Sequence, residues 1–330
     1  GAKMGTKSIL ERLSEGIVLG DGGYIVELEQ RGYVVAGAFT PEIAITHPEA
    51  VRELHNEMKL VGCEVLQVMA FYGSREKLET VGYGDMVYEI NSAATRIAQE
   101  VAGDDMLVAG DLSTTWMWEP DDNNSEKLVA DMFDEQLEAQ AGVDFVIGEL
   151  FFRLGEALLC LDRIKEKTGL PAMITMSFRE NNITEDGFTA AECAKRLHEA
   201  GADIIGLNCM NDPQRMYPHI REMRDAFDGY LAAQPVAFRC TDDIPFFTGL
   251  PSFPDKLEPT QHTRYELGNF AAKAKDMGVN YIGGCCGNKA THMREMAKAL
   301  GKHKETFHWN RRAGISMSET ERNKHVSDIA

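Results

Sequence analysis

The sequence has 330 residues, of which 44% are hydrophobic, and 34 basic against 52 acidic side chains give a formal net charge of −18. This length suits one large or two ordinary domains. The acidic balance disfavours a nucleic-acid partner, since binding a phosphate backbone requires basic patches. No apolar run approaches the roughly 18–20 residues needed to span a bilayer, so we expect no membrane partner.

The two ends of the chain and its cysteines bear on location. Residues 1–3 precede Met4 and are interpreted as a cloning remnant, and no signal-peptide pattern opens the chain. Seven cysteines, an odd number, indicate free thiols in a reducing compartment, so a cytoplasmic protein is expected. Residues 302–330 are polar and are interpreted as an exposed tail, which leaves a homo-oligomer open.

Short apolar runs alternate with amphipathic segments from residue 17 onward. Predicted strands cover residues 17–19, 65–72, 106–111, 144–150, 172–178, 204–209 and 235–240, and an eighth begins at Tyr281. Predicted helices cover about 47–62, 87–101, 126–141, 156–167, 190–200, 214–227, 265–277 and 290–300. Eight strands alternating with eight helices predict a single (β/α)8 barrel, a TIM barrel, over residues 4–301. An open doubly wound sheet is the alternative, but no Gly-x-Gly-x-x-Gly turn follows the first strand.

Active sites of such barrels lie at the carboxyl ends of the strands. The predicted strands place several reactive or polar residues there. They are Asp21, Tyr72, Glu149, Cys209, Cys240, Cys285 and Cys286. The long proline-rich loop over residues 241–262 is expected to be functional or to form a docking surface.

Cys285 and Cys286 are adjacent and are flanked by Gly283, Gly284 and Gly287. Neighbouring residues of a regular strand point to opposite faces, so both thiols can bind one ion only where the backbone turns sharply, as glycine allows. Burial as small hydrophobic residues is the competing interpretation.

Cys209 ends another predicted strand, and three thiolates would hold one zinc ion and leave its fourth position open for catalysis. Such a site favours activation of a substrate thiol, because metal binding removes the thiol proton. Cys240 is expected to pack beside this site, with a role as a ligand less favoured. The remaining cysteines, Cys63, Cys160 and Cys193, lie in helical patterns and are expected in the core.

Asp21, in the turn Gly20-Asp21-Gly22-Gly23, and Glu149 provide two carboxylates beside exposed backbone amides. Together they would hold the ammonium and carboxylate groups of an amino acid, although Asp21 also suits a plain turn. The predicted strand ends also carry aromatic rings, which can surround a methylated cation or simply pack in the core. These are Phe39, Phe71, Tyr72, Trp116 and Trp118.

These features resemble the zinc-dependent homocysteine S-methyltransferase family, and within it the betaine-dependent members. The resemblance covers most of residues 7–300. It rests on the segments at residues 17–23, 39–42, 71–72, 206–209 and 283–287, of which Gly-Gly-Cys-Cys-Gly with the upstream Asn-Cys is the most specific.

The resemblance implies zinc on Cys209, Cys285 and Cys286 with the homocysteine thiolate as the fourth ligand, and methyl transfer that gives methionine. It also implies that Asp21 and Glu149 bind the amino group and that Tyr72 lies in the methyl-donor pocket. Two positions of the expected methyl-donor pocket, Phe39 and Leu150, depart from the betaine enzymes, which have tryptophan and tyrosine there to help hold betaine. Leu150 cannot donate a hydrogen bond to a carboxylate. Betaine is the first expected donor, and a sulfonium such as dimethylsulfoniopropionate or S-methylmethionine is the second.

Two other classes of function stay open on the residues alone. A zinc hydrolase is disfavoured because the nine histidines show no His-x-His or His-Glu-x-x-His pattern. A non-catalytic protein that stores or senses zinc or thiols would need no amino-acid pocket, which the grouping of Asp21 and Glu149 at strand ends indicates.

Overall fold

The computed structural model describes residues 6–304, and eight parallel strands form the centre of this part of the chain. The strands are β1 (Val18–Leu19), β2 (Val65–Gln67), β3 (Leu107–Ser113), β4 (Phe145–Phe151), β5 (Ala172–Met176), β6 (Ile204–Asn208), β7 (Tyr230–Gln234) and β8 (Tyr281–Ile282). Their order around the sheet is β1-β8-β7-β6-β5-β4-β3-β2, which confirms the predicted (β/α)8 barrel. The predicted remnant, 1–3, and most of the predicted tail lie outside the described residues.

Twelve α-helices accompany the strands within residues 6–304. They are α1 (Ile9–Glu15), α2 (Ile25–Gln30), α3 (Ile43–Thr46), α4 (Pro48–Val61), α5 (Arg75–Glu79), α6 (Val87–Ala102), α7 (Asn123–Ala139), α8 (Leu154–Thr168), α9 (Ala190–Glu199), α10 (Pro213–Ala226), α11 (Arg264–Asp276) and α12 (Ala290–Ala299). The eight predicted helices correspond to α4 and α6–α12, and their ends agree within three residues. The short helices α1, α2, α3 and α5 were not anticipated, since each has too few residues for a clear period.

The prediction of the seventh strand at residues 235–240 is wrong. The strand is β7, one segment earlier, and it pairs in parallel with both β6 and β8. Pro235 has no backbone N–H to donate and follows the last residue of β7, so the regular ladder ends there. Cys240 therefore lies in the loop beyond β7 and not at a strand end.

A close contact between β6 and β7 depends on small residues. A Cβ atom on Gly206 of β6 would lie 1.9 Å from the carbonyl oxygen of Ala232, its register partner in β7. No side chain fits in that space, so Gly206 allows the two strands to approach at this point.

The barrel interior is filled by side chains and is closed at one end by α1. Ile9 and Leu13 of this helix are buried among residues contributed by the strands. The strand residues in this cluster are Val18, Val65, Leu107, Ala109, Phe145, Ile147, Met173, Ile204, Ala232 and Tyr281. Such filling makes the barrel a packed core, which leaves the opposite, carboxyl end of the strands for a site.

The barrel closes between β1 and β2 through Glu64 and not through a strand ladder. The Glu64 backbone N–H donates to the Leu19 carbonyl over 2.9 Å, and the Leu19 N–H donates to Glu64 Oε2 over 2.7 Å. Lys302 Nζ lies 3.1 Å from the same carboxylate oxygen. One side chain thus joins the first two strands and the segment that follows the last helix.

Replacement of Gly206 by alanine should lower the free energy of unfolding by about 3 kcal/mol, because the added methyl group meets a backbone oxygen that cannot rotate away. Urea denaturation measures this change. Gly16→Ala is the matched control, since no atom lies within 4 Å of its new Cβ, and it should leave the unfolding midpoint nearly unchanged. Equal stability of the two variants would contradict the close contact of β6 with β7.

Candidate active site

Three cysteine thiols meet at the carboxyl end of the barrel. Cys209 directly follows β6, and Cys285 and Cys286 follow β8. Their Sγ atoms all lie within 4.8 Å of one another, and no other group of three or more potential metal ligands occurs within residues 6–304. Cys240 is buried nearby, but it is not part of this group. The predicted three-thiol cluster is therefore brought together, and it can hold a metal ion.

The last residue of β7 and the residues just after it hold both cysteine-bearing loops by backbone hydrogen bonds. The N–H of Cys209 donates to the Gln234 carbonyl over 2.9 Å, and the N–H of Cys285 donates to the Pro235 carbonyl over 2.9 Å. The N–H of Ala237 then donates to the Cys286 carbonyl over 3.0 Å. These bonds fix the loops on either side of β7, so the thiols converge without depending on their own side-chain contacts.

Glycines permit the turn that directs two adjacent thiols to one place. Gly287 has a φ of 85°, in the left-handed region that glycine adopts without a Cβ clash. A Cβ on Gly284 would lie 2.4 Å from Cγ of Asn288, whose side-chain Nδ2 donates to the Cys285 carbonyl over 3.1 Å. The glycine-flanked sequence thus meets the steric need identified from the sequence.

The three thiols share charge unequally. Hydrogen bonds from the thiols of Cys209 and Cys285 hold the pKa of Cys286 well below its usual value. Burial raises the pKa of Cys209, and its interactions with Cys209 and Cys286 raise the pKa of Cys285. The metal-free cluster therefore favours one thiolate with two thiols that donate to it, which is a compact negative site for a soft divalent cation.

A cavity of about 240 Å³ opens above the thiols. Its polar floor is formed by the three thiols together with Gln67, Asp111, Glu149, Asn208 and Gln234. The predicted loop at 241–262 contributes Phe247, Thr248 and Phe253 to the lining, so part of that loop is at the site as expected. Burial of several polar groups and three thiols in one concave space is typical of a small-molecule site.

Asp111 on β3, which is buried, and Glu149 on β4, which is partly buried and faces the cavity, form a carboxyl pair. Burial raises the pKa of Glu149 to about 7, and burial together with the neighbouring Glu149 raises that of Asp111 well above its usual value. Asn208 Nδ2 donates to Glu149 Oε2 over 3.2 Å, and Gln67 Nε2 donates to Asp111 Oδ1 over 3.1 Å. The pair holds a proton in the empty cavity and offers a partner to an incoming cation.

Asp111 was not predicted as a site residue, although it is the final residue of the predicted third strand. The same signal that selected Glu149, a carboxylate at the end of an apolar strand, applied to it. Gln67 and Asn208 gave no comparable signal, because neutral amides at strand ends are common and carry no charge that needs a partner.

Asp21 lies at 2% exposure beside the cavity, and its side chain is not part of the lining. Its Oδ2 accepts from the Tyr24 hydroxyl and from the Gln67 backbone N–H, both over 2.9 Å. Because the Tyr24 proton is committed to Asp21, His55 Nδ1, 2.9 Å from the same hydroxyl, donates to Tyr24. Burial lowers the pKa of His55 to about 3, so this imidazole is neutral.

The predicted anion contact at Gly22 and Gly23 is only partly available. Both residues line the cavity, but the Gly23 N–H donates to the Asn288 carbonyl over 2.9 Å. The Gly23 amide is therefore already used, and an anion-binding role for this turn rests on Gly22.

Four of the six residues predicted for a methyl-donor pocket line the cavity: Phe71, Tyr72, Trp116 and Leu150. The Trp116 ring donates from Nε1 to the Tyr72 hydroxyl over 2.9 Å and stacks on Phe152, with the ring centroids 5.1 Å apart. Phe152 also lines the cavity and was not anticipated, since an aromatic residue near a strand end is more often core.

Phe39 and Trp118 lie outside the lining of the cavity, contrary to their predicted place. Phe39 is 4% exposed and packs behind Phe71, with the ring centroids 6.4 Å apart. Trp118 packs on the start of α8, where a Cβ on Gly155 would lie 2.2 Å from the indole. The two indoles thus lie in different environments, because Trp116 has a φ of 63° and the chain changes direction there.

Backbone strain is concentrated at this cavity. Outside glycine, six described residues have φ near +60°, and five of them line it. The five are Tyr72, Trp116, Leu150, Cys209 and Met210. Each left-handed residue costs roughly 1–3 kcal/mol, and such residues typically cluster where a site fixes side-chain directions.

The sequence profile for homocysteine S-methyltransferases matches residues 18–300. The chain belongs to the homocysteine S-methyltransferase family. It is 40% identical over 314 residues to betaine–homocysteine S-methyltransferase 1 of Mus musculus, and this alignment covers 90% of this chain and 76% of the relative. It is 38% identical over 310 residues to the S-methylmethionine–homocysteine S-methyltransferase of Pongo abelii, and that alignment covers 91% of this chain and 82% of the relative.

The fold of this homocysteine S-methyltransferase also matches a solved structure. The metallated homocysteine methyltransferase MmuM of Escherichia coli superimposes with a TM-score of 0.70 over 86% of this chain and 96% of that one. Sequence identity is 16%, so this likeness concerns the fold. Among residues 6–304, no helix of the methyltransferase is long and apolar enough to cross a membrane.

The stability of the metal-free methyltransferase should depend on pH through Asp21. Burial raises the pKa of Asp21 from 3.8 to about 7, so between these values the folded state keeps a proton that the unfolded state has lost. The free energy of unfolding should therefore fall as the pH rises from about 4 to about 7, with a share of order 4 kcal/mol at most from Asp21. Urea denaturation across this range measures the slope.

Asp21→Asn keeps an oxygen that can accept from Tyr24 and Gln67 but cannot titrate, so this variant should show a shallower slope. The exposed Asp131→Asn is the matched control, and its curve should follow that of the unmodified protein. An unchanged slope in Asp21→Asn would mean that the carboxyl is already ionised in the folded protein at low pH.

Proposed function

We propose that the protein forms methionine by moving a methyl group from a quaternary ammonium or sulfonium donor to the thiol of homocysteine, with betaine as the first donor. The observation that carries this proposal is the meeting of three thiols, buried carboxyls and an aromatic wall in one cavity. Family membership supports homocysteine as the acceptor. The printed names of the two relatives, one for betaine and one for S-methylmethionine, support an onium donor.

Zinc is the metal that the thiol cluster fits best. Zinc–thiolate bonds of about 2.3 Å in a tetrahedron separate the sulfurs by about 3.8 Å, which agrees with Sγ atoms within 4.8 Å of one another. Three protein ligands leave a fourth position for a substrate. When bound, zinc supplies the positive charge that keeps the acceptor sulfur deprotonated at neutral pH.

The carboxyl groups are proposed to bind the homocysteine ammonium group. Glu149 lines the cavity and would contact a cation placed there, whereas Asp21 lies beside the lining and would attract the cation through its charge. The pKa of each is raised to about 7 by burial, and a bound ammonium favours the ionised forms. Binding should thus release protons that the empty site holds. The Gly22 amide is proposed to meet the homocysteine carboxylate.

The aromatic wall is proposed to receive the methylated cation of the donor. The faces of Tyr72 and Trp116 carry negative electrostatic potential, and a desolvated cation gains about 2 kcal/mol or more from such contacts. Phe152 supports this wall, because it stacks on Trp116 and already packs against the Arg179 guanidinium. Leu150 adds an apolar surface and no hydrogen-bond donor. Phe71 extends the same wall, while Phe39 supports it from behind.

The transfer itself needs little proton chemistry. The homocysteine sulfur attacks the methyl carbon in line, a carbon–sulfur bond forms, and the bond from that carbon to nitrogen or sulfur of the donor breaks. The leaving amine or sulfide departs neutral, so no general acid is required. The residues contribute orientation of two bound substrates, which can be worth roughly 7–11 kcal/mol of the barrel enzyme's rate advantage.

A sulfonium donor, such as dimethylsulfoniopropionate or S-methylmethionine, is the second candidate. The apolar Leu150 in the donor wall and the relative named for S-methylmethionine favour it. The barrel domain is proposed to span residues 4–301, with a polar tail at 302–330. All seven cysteines are free thiols, which supports a cytoplasmic location.

Incubation of the zinc-loaded protein with homocysteine and each donor tests the proposal. Methionine should form from betaine, and the rates with dimethylsulfoniopropionate and S-methylmethionine rank the alternatives.

Cys285→Ala should lose stoichiometric zinc and reduce methionine formation to background, because two thiolates hold the ion too weakly. Metal analysis and chromatography of methionine measure both.

Cys240→Ala is the matched control for the loss of a buried thiol near the cavity. It should keep both zinc and activity, since Cys240 is not part of the thiol cluster. Methionine formation that survives in Cys285→Ala would refute the thiol-bound metal as the source of the activated acceptor.

The two indoles of the third strand's loop give a second test. Trp116→Leu should raise the KM for every onium donor by about tenfold, since a face of the cation pocket is lost. Trp118→Leu should leave the donor KM unchanged, because this indole packs on α8 and does not line the cavity. Steady-state kinetics with the homocysteine concentration held at saturation separate the two. Equal effects would place both indoles at the donor.

A further inference from the structure

Arg179 stands apart from the other residues of the cavity. The carboxyls of Asp111 and Glu149 and three thiols form its polar floor, and within residues 6–304 Arg179 is the one lysine or arginine that lines it. It comes three residues after the end of β5, at the carboxyl face of the barrel. The cavity therefore has an acidic region and, in the same lining, a single fixed positive charge.

The guanidinium group of Arg179 belongs to the aromatic wall. Its central carbon lies 4.6 Å from the ring centroid of Phe152 and 5.8 Å from that of Trp116. Phe152 and Trp116 stack on each other, and Trp116 hydrogen-bonds to Tyr72. The positive charge thus adjoins the rings that are proposed to receive the onium group of the donor.

Most of the hydrogen-bonding capacity of Arg179 is unused by the protein. Nη2 pairs with Glu185, and no other hydrogen bond to this guanidinium is present within the described chain. Glu185 is itself shared, since its Oε2 accepts from Arg153 Nε over 3.2 Å. A planar guanidinium has five N–H donors and suits a carboxylate, which can accept two of them side by side.

We propose that Arg179 binds a carboxylate of the methyl donor, so that the preferred donors are zwitterions with a methylated onium at one end and a carboxylate at the other. This inference rests on the proposed function. The neighbouring Leu150 side chain has no group to donate to a carboxylate, whereas Arg179 offers both charge and a matching shape. The homocysteine carboxylate is the competing anion, and it is assigned instead to the Gly22 turn beside the acidic floor.

Paired donors test the inference. Betaine is compared with tetramethylammonium, and dimethylsulfoniopropionate with trimethylsulfonium, so that each pair shares the reacting cation and differs in the carboxylate. Arg179→Met should raise the KM for betaine and dimethylsulfoniopropionate by about 10- to 100-fold, the usual scale for loss of a charged hydrogen-bonding partner. The kinetic constants for the two carboxylate-free donors, and the KM for homocysteine, should not change.

Two further variants sharpen the result. Arg179→Lys restores the charge without the planar fork and should recover part of the lost affinity for betaine. Arg153→Met is the matched control, because Arg153 shares Glu185 with Arg179 but does not line the cavity, and it should preserve the donor preference. Thermal unfolding of each variant shows whether it remains folded.

Each other outcome overturns the inference in a recognisable way. A rise in the KM for homocysteine would assign Arg179 to the acceptor, and equal losses with all four donors would make it a general support of the wall. Unchanged kinetics would leave it as a partner of Glu185 alone. If the unmodified protein makes no methionine from any donor, the proposed function fails and the inference fails with it.

Discussion

The four residues 234–237, at the end of β7 and just beyond it, hold the site together. Backbone hydrogen bonds run from Cys209 to Gln234, from Cys285 to Pro235 and from Ala237 to Cys286. A fourth, from the Val236 N–H to the Asn211 carbonyl, adds to the loop after β6. Thiols from two strands that are not neighbours can meet only because the strand between them ends here and lets both loops turn inward over it.

Around this point the site separates two kinds of chemistry. The floor collects groups that are negative or become negative, and burial raises the pKa values of Glu149 and Asp111 so that this pair holds a proton until a cation arrives. The wall is aromatic and takes its shape from residues in the left-handed region, among them Tyr72 and Trp116. Strain of this kind fixes side-chain directions before the substrates bind, so less ordering is left to be done on binding.

Much of the fold and the three-thiol cluster could be predicted from the sequence, because both follow from local patterns. Apolar runs and helical periods located seven of eight strands, and the glycine-flanked cysteines indicated a turn. The seventh strand was missed because β7 contains two alanines in five residues, and alanine indicates a buried strand only weakly. The neighbouring apolar run at residues 235–240 gives the stronger strand pattern and was therefore predicted instead. Packing between β6 and β7 requires glycine at Gly206, because a Cβ there would meet the Ala232 carbonyl oxygen, and such a requirement is not visible in one segment alone.

The wall of the cavity was harder to predict for a related reason. Trp116 and Trp118 are two residues apart, yet one faces the cavity and the other packs on α8, because the backbone turns between them. Phe152 follows β4 and Arg179 follows β5, and the parallel pairing of these two strands brings the two side chains into contact. Charge and ring type can be read from a sequence, whereas contacts between loops depend on which strands pair.

Closure of the barrel also determines when the site can form during folding. β1 pairs with β8, which lies near the other end of the described chain, so the ring is completed by one of its longest-range contacts. The Gly284 N–H donates to the Asp21 carbonyl across this junction, and both Cys285 and Cys286 arrive with β8. A growing chain that has reached Cys209 carries one of the three clustered thiols, so a metal ion that needs all three can bind only after the barrel has reached its final strand.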